Sequence, residues 1–400
     1  MAAKSTYNQA AFLIIALAVS LVSLTFKELQ FAPGLDEGYY FRYAASIAAK
    51  GLSGFSGLFK EYLQNQQDWL FPSPLRAGFI LLAAGWLKLL GSAPLKLVYL
   101  SLFSYVLFLC VAYYFSRKYL GERLAVLFTA LLAFSPLQLA MSRRVMMEST
   151  VNLFGALAIW LFWDFMNKRG AGRFAALIAA LAFSILVKET AVLLLPVFAI
   201  FLLGDKFICR PKANLKEAAG ILILPLIAVG LVFWGLGCLP YLFATIKVVL
   251  GSPGTNEYAI SFGSGPWYRY LIDYMLLSPW VVILALGFAV NLLLDKARDR
   301  MAIYFAFLSL AILVLFNFFT KNVRYVLILD MPMRLLALMA MDRICRGLFT
   351  PQGARVILIL LVAALALSDY FNFYGLFVRG GIYDPVSFVL LKARQVIPFN

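Results

Sequence analysis

Four short polar stretches in this chain could do chemistry. The first, LDEGYYF, sets Asp36 and Glu37 side by side, after the Pro33-Gly34 turn signal and ahead of an amphipathic stretch over 39–50. A carboxylate at a helix start is favoured by the helix dipole, so an acidic cap would look the same. Within hydrogen-bond reach of a hydroxyl and partly shielded from water, such a carboxylate is also a general base. The chain has no histidine, the commonest base near neutral pH, which leaves a carboxylate as the natural candidate. The second stretch, SRRVMMEST, places Arg143 and Arg144 beside Glu148. An arginine fork suits phosphate oxygens, although arginines touching ordinary lipid headgroups would read alike. Lys188 and Glu189 interrupt an apolar run as the third stretch, either as a structural pair or as a functional one. The fourth, TKNVRYVLILD, carries Lys321, Arg324 and Tyr325, with Asp330 four residues ahead of its plausible partner Arg334.

The elements that must position these residues follow from composition. Of 400 residues, 63% are hydrophobic and 14% charged, and the mean hydropathy is +0.88. A soluble domain is about half apolar and about a quarter charged. These values exclude a disordered chain, a disulfide scaffold and a single soluble core, and leave an all-α polytopic membrane bundle. The net charge of +16 would suggest nucleic acid in a soluble protein. Here it reads as basic loops held at a membrane, with no nucleic-acid partner. The cysteines, Cys110, Cys209, Cys238 and Cys345, have no zinc or disulfide spacing.

Apolar segments near spanning length lie at 10–26, 95–116, 124–141, 146–163, 174–187, 190–204, 218–236, 279–294, 301–319, 325–341 and 355–374. The first reads as a retained signal anchor. Segment 74–90 is apolar but carries Arg76 and Lys88. If it does not cross, five loops holding sixteen Lys and Arg residues share the side of the N-terminus. The positive-inside rule then makes that side cytoplasmic. The expectation is about 11 transmembrane helices, N-terminus inside, with 74–90 re-entrant or interfacial. The domain expected is a transmembrane unit over 1–374, with external loops at 27–93 and 237–278, followed by an external tail at 375–400.

On this topology the external turns hold an early acidic pair and five later cations, Arg143, Arg144, Lys188, Lys321 and Arg324. Such a site suits an anionic, lipid-linked substrate: cations grip a phosphate or diphosphate while apolar helices hold an isoprenoid tail. Phosphate leaves without a general acid, so one base and cationic stabilisation suffice. Trp267, Tyr268 and Tyr270 offer aromatic faces that suit sugar rings. Two other readings remain open. One is a transporter or flippase of a lipid-linked anion, against which stand the lack of an internal repeat and the placing of charges at turns rather than mid-span. The other is a polysaccharide polymerase or ligase.

LDEGYYFRYA resembles the acidic first-loop motif of GT-C membrane glycosyltransferases, nearest to the protein O-mannosyltransferase and aminoarabinose transferase group. Further similar segments follow in order: FPSPLRAGFILLAAGWLKLLG, LLAFSPLQLAMSRRVMMESTVNLFGALAIWLFW, FSILVKETAVLLLPVF, GPWYRYLIDYMLLSPWVVILALG and KNVRYVLILDMPMRLLALMA. Two positions depart from the group: Phe71 stands where a histidine often opens the proline segment, and Glu189 where a small residue tends to follow the lysine. The resemblance implies an enzyme that moves a sugar, with inversion, from a polyprenyl-phosphate carrier to a lipid, glycan or protein acceptor at the outer face of the membrane. It implies Asp36 as base with Glu37 its neighbour, and Arg143, Lys188 and Arg324, with Arg144 and Lys321 beside them, as donor-phosphate ligands. Tyr40, Glu148, Glu189, Trp267, Tyr268 and Tyr325 are the substrate-binding candidates. No tightly held zinc is expected, and there is room only for a loosely bound magnesium or manganese. No Asn-x-Ser/Thr site occurs, which fits a bacterial inner membrane.

Overall fold

The structure is a computed structural model that describes residues 2–29, 31, 33–208, 215–251, 260, 263, 265–294, 299–383 and 386. All described secondary structure is helical. In chain order the helices are α1 (Ala2–Leu24), α2 (Asp36–Lys50), α3 (Gly54–Gln64), α4 (Ala77–Leu90), α5 (Lys96–Leu120), α6 (Glu122–Ala133) and α7 (Pro136–Ser142). They continue as α8 (Glu148–Asn167), α9 (Ala171–Val187), α10 (Leu194–Ile208), α11 (Leu215–Gly235) and α12 (Leu239–Gly251). The rest are α13 (Arg269–Leu277), α14 (Pro279–Leu294), α15 (Arg300–Phe316), α16 (Asp330–Leu348) and α17 (Pro351–Phe373).

The protein is a polytopic membrane helical bundle. Five helical stretches among the described residues are long and apolar enough to cross a bilayer: Thr6–Glu28, Lys96–Leu120, Glu148–Asn167, Leu215–Gly235 and Pro351–Arg379. A sixth counts if the pair α6 and α7, bent by 61° at Pro136, is one span. Proline lacks the N–H that would continue the ladder, so the chain breaks there. Segment 74–90 forms the 14-residue helix α4, and 325–341 starts as a 3₁₀ turn (Val323–Leu329) before α16. The tail expected over 375–400 lies mostly outside the described residues, as do parts of the 237–278 loop and the basic residues Arg210, Lys212, Lys296 and Arg298.

The chain divides into two compact units. One comprises Met1–Glu28, Val106–Met141 and Phe262–Asn400. Its centre is α16, which packs against α14, α15, α17 and α6. The other comprises Leu29–Tyr105 and Ser142–Ser261. In it the loop helices α2, α3 and α4 form a layer of their own, with α4 against α9 and α3 against α12. The layer holds because its apolar faces are buried together: Phe55, Phe59 and Ile80 are fully enclosed, and Leu186 of α9 and Phe233 of α11 close the cluster. Enclosing one such phenylalanine is worth about 2 kcal/mol. Gly78 permits the closest approach, since a Cβ there would sit 3.0 Å from the Leu186 backbone.

Candidate functional site

In the second unit, short stretches from four places in the chain meet. Helix α2 begins at Asp36, so both acidic residues fall in its first turn. Consecutive helical residues point about 100° apart, and the pair is split accordingly. Glu37 is turned inward and buried; Asp36 is half-buried. Gly38 allows the preceding turn to fold back onto the helix, because a Cβ there would collide with the Pro33 carbonyl oxygen at 1.8 Å.

Glu37 anchors α2 to the turn between α7 and α8. Its Oε1 accepts a hydrogen bond from Arg144 Nε and another from the Val145 backbone N–H at 3.2 Å. The turn is not a headgroup-facing loop: Arg143, Val145, Met147 and Glu148 are all buried. Ser101 of α5 fixes it from below by donating to the carbonyls of Arg144, at 2.7 Å, and Met146, at 3.0 Å. Glu148 opens α8 and pairs through Oε1 with Lys188 Nζ at 3.4 Å. Lys188 stands in extended conformation at the break after α9, and both partners are buried.

Glu189 follows in the turn between the apolar segments 174–187 and 190–204. Arg76 holds it bidentately, Nε to Oε2 at 3.1 Å and Nη2 to Oε1 at 2.9 Å. Burial pushes the Glu189 carboxyl upward, but the Arg76 guanidinium more than offsets this and holds it at about 2. Arg76 also donates through Nη1 to the Tyr40 hydroxyl, which in turn points to the Met147 sulfur at 3.1 Å. Burial raises the Tyr40 phenol well above its ordinary value, so it stays protonated. Asp36, Glu148 and Glu189 all act electrostatically on that phenol, which marks Tyr40 as the hub of the cluster.

Of the expected residues, Asp36, Glu37, Tyr40, Arg143, Arg144, Glu148, Lys188 and Glu189 are thus gathered in one unit. Arg76 joins them and was not among the expected site residues. Its signal was an arginine at the head of an apolar helix, which from sequence bore only on topology. With it the stretches carry four carboxylates (Asp36, Glu37, Glu148, Glu189) and four cations (Arg76, Arg143, Arg144, Lys188). The departure at Glu189 is explained by its bond to Arg76. The one at Phe71 has a counterpart in its stacking on Tyr39, at 4.3 Å between ring centroids.

Lys321, Arg324, Tyr325, Trp267 and Tyr268 belong to the other unit. There Lys321 is tied to the chain before α13: its backbone N–H donates to Gly263 O at 2.7 Å and its Nζ to Gly265 O at 2.5 Å. Burial and the nearby Arg269 lower its ammonium from the ordinary value. Arg324 lies over the Tyr325 ring, 5.3 Å from its centroid. Trp267 and Tyr268 are exposed, while Tyr270 is buried.

No group of three or more His, Cys, Asp or Glu that could hold a metal gathers among the described residues. Glu37, Glu148 and Glu189 each already face a cation.

Residues 77–234 match the family described as dolichyl-phosphate-mannose-protein mannosyltransferase. That stretch holds the 143–148 turn and Lys188, and stops short of Asp36. No curated protein matches the sequence. Similar solved structures are ArnT from Cupriavidus metallidurans in the apo state (15% identity, TM-score 0.53, 94% of this chain and 74% of that one) and the same enzyme bound to undecaprenyl phosphate (16%, 0.56, 95% and 74%). Another is the apo oligosaccharyltransferase of Archaeoglobus fulgidus (13%, TM-score 0.61, 92% of this chain), of whose length this chain covers 55%. At these identities the likeness is one of fold, and the fold is that of the GT-C membrane glycosyltransferases.

Proposed function

We propose that this protein is an inverting glycosyltransferase. It moves a sugar from a polyprenyl-phosphate carrier to an acceptor hydroxyl at the outer face of the membrane. The observation that carries the reading is the placing of Asp36: a half-buried carboxylate at the head of α2, in the same unit as Arg76, Arg144 and Lys188, each of which is paired with a carboxylate of its own.

In this reading Asp36 takes the proton from the acceptor hydroxyl as its oxygen attacks the anomeric carbon. The bond from that carbon to the phosphate oxygen breaks on the opposite side, and polyprenyl phosphate departs as an anion. Lys188, Arg143 and Arg144 stabilise the growing phosphate charge. The carboxylate partners of Lys188 and Arg144 do not disqualify them, because a guanidinium has five N–H donors and an ammonium three. The partners hold the cations in place, so little reorganisation is needed at the moment of reaction. Glu37 serves as an anchor and not as a second base, since its carboxylate is already bound by Arg144 and Val145. Lys321 and Arg324 stay donor-phosphate candidates on the sequence resemblance. The structural kinship to an enzyme bound to undecaprenyl phosphate supports a polyprenyl-phosphate donor.

The test is to incubate purified protein with polyprenyl-phosphate sugars and measure release of free polyprenyl phosphate. Release that disappears in Asp36→Asn, with folding intact, supports the assignment. Full turnover in that variant removes it.

A further inference from the structure

A concave site lies further along α2, away from the ion cluster. It is a cavity of about 240 Å³ walled by α2, α3 and the segment that follows them. From α2 come Tyr39, Arg42, Tyr43 and Ser46, spaced i, i+3, i+4 and i+7, which puts them on one stripe of the helix. Glu61 and Tyr62 come from α3, and Asp68 from the 3₁₀ turn Gln66–Leu70.

The walls are built, not incidental. Tyr39 donates to Asp68 Oδ1 at 2.8 Å, and Asn65 donates to Asp68 Oδ2 at 2.9 Å, which fixes that carboxylate. The Arg42 guanidinium lies 4.0 Å from the centre of the Tyr39 ring, whose stacking on Phe71 holds it flat. Tyr43 is pinned by its bond to the Pro72 carbonyl at 3.1 Å. Tyr62 is 1% exposed, yet among the described residues its hydroxyl has no hydrogen-bond partner. Burial pushes that phenol up to about 12, so it is neutral and able to donate at any ordinary pH. Arg42 and Glu61 form no ion pair among the described residues.

The chemistry selects the ligand. A simple anion would meet Arg42 but be opposed by Glu61 and Asp68. A simple cation would meet the carboxylates but be opposed by Arg42. A hydroxyl group both donates and accepts, and can satisfy a guanidinium or phenol and a carboxylate at once. A small chamber with a few fixed polar groups among aromatic walls suits a compact polyol. Asp36 lies three residues before Tyr39, on the same stripe. At 1.5 Å per residue, Arg42 and Ser46 are about 9 and about 15 Å along the helix from it.

We propose that this cavity binds a neutral sugar residue of the acceptor, adjacent to the one whose hydroxyl Asp36 deprotonates, so that the acceptor is a glycan or glycolipid. The proposal rests on the glycosyltransferase reading for the word acceptor, but its test does not need turnover. Saturation-transfer NMR on the full-length protein in nanodiscs, without donor, would use glucose, galactose, mannose, arabinose and N-acetylglucosamine as separate probes. Inorganic phosphate would be added as competitor.

At least one sugar is expected to receive saturation and to resist displacement by phosphate. Tyr62→Phe, which removes only a hydroxyl, should weaken it about fivefold, the worth of one hydrogen bond. Arg42→Ala, at an exposed position, should weaken it about tenfold, as for a charged donor. No saturation of any sugar, displacement by phosphate, or binding undiminished in both Tyr62→Phe and Arg42→Ala overturns the proposal. Sugar binding by a protein that never releases polyprenyl phosphate would instead overturn the glycosyltransferase reading and leave the sugar site standing.

Discussion

Each of the two units holds a buried ionic cluster, and the two are built differently. In the unit centred on α16, Arg334 is fully buried and meets Asp330 at 2.8 Å, Asp369 at 2.6 Å and Ser278 at 2.9 Å, while Gln138 donates to Asp330 at 3.1 Å. Arg334 and Asp369 sit inside helices, Asp330 opens α16, all three are buried, and the carboxylates outnumber the cation. In the unit that contains α2, the charged residues stand at helix starts and breaks: the first turn of α2, the residue before α4, the turn before α8 and the break after α9. There the signs balance, and Asp36, Arg76, Arg144 and Glu189 keep some exposure. The first arrangement ties helices together where no water can reach. The second presents charge at helix ends that keep some exposure, the difference expected if the first group holds the fold and the second serves the proposed reaction.

The sharpest way to break this contrast is to neutralise one residue in each cluster. Asp36→Asn should lower sugar transfer by about a thousandfold, within the range of a lost general base, and leave thermal unfolding in detergent unchanged. Arg334→Met should do the reverse. It leaves Asp330 and Asp369 buried without their cation, at about 3–5 kcal/mol, read as a large drop in melting temperature and in monodisperse yield. If Arg334→Met folds normally and loses activity, the assignment of roles is wrong.

Arg76→Ala should fall between them. It strips Glu189 of its bidentate partner and Tyr40 of a donor, costing about 1–3 kcal/mol of stability together with partial loss of transfer. The pH dependence of that pair sharpens the point. The folded-state pKa of Glu189 lies at about 2, below the ordinary carboxylate value of 4.5, so its stabilisation is complete above about pH 5. It is lost as pH falls from there through about 2. The stability difference between wild type and Glu189→Gln should be constant above pH 5 and shrink below it, as followed by chemical denaturation across pH. The smallest effect is expected from chelation: transfer measured in EDTA should match that in magnesium or manganese, because the carboxylates near Asp36 are committed to cations.

Much of this was legible in the sequence, and the limit of legibility is physical. The Asp330–Arg334 pair could be read directly, because four residues on a helix bring two side chains to one face. The start of α2 at the acidic pair and the break at Pro136 follow equally from local rules. The partners of the candidate site could not be read that way. Glu37 and Arg144 are 107 residues apart and Arg76 and Glu189 are 113 apart. No periodicity links such positions, so Arg76 stood out only as a charge beside an apolar segment.

The sequence by itself determined the medium and the inventory: apolar runs that must be helical in lipid, because the backbone there has no water to bond with, and charges confined mostly to the breaks between them. Which carboxylate serves which cation was decided only by tertiary packing. Asp36 and Glu37 are chemically alike and adjacent, yet the helical turn between them sends Glu37 into the protein to meet Arg144 and leaves Asp36 at the edge. That division depends on where α2 lies against the turn before α8, a contact set by the shared burial of apolar faces across distant parts of the chain.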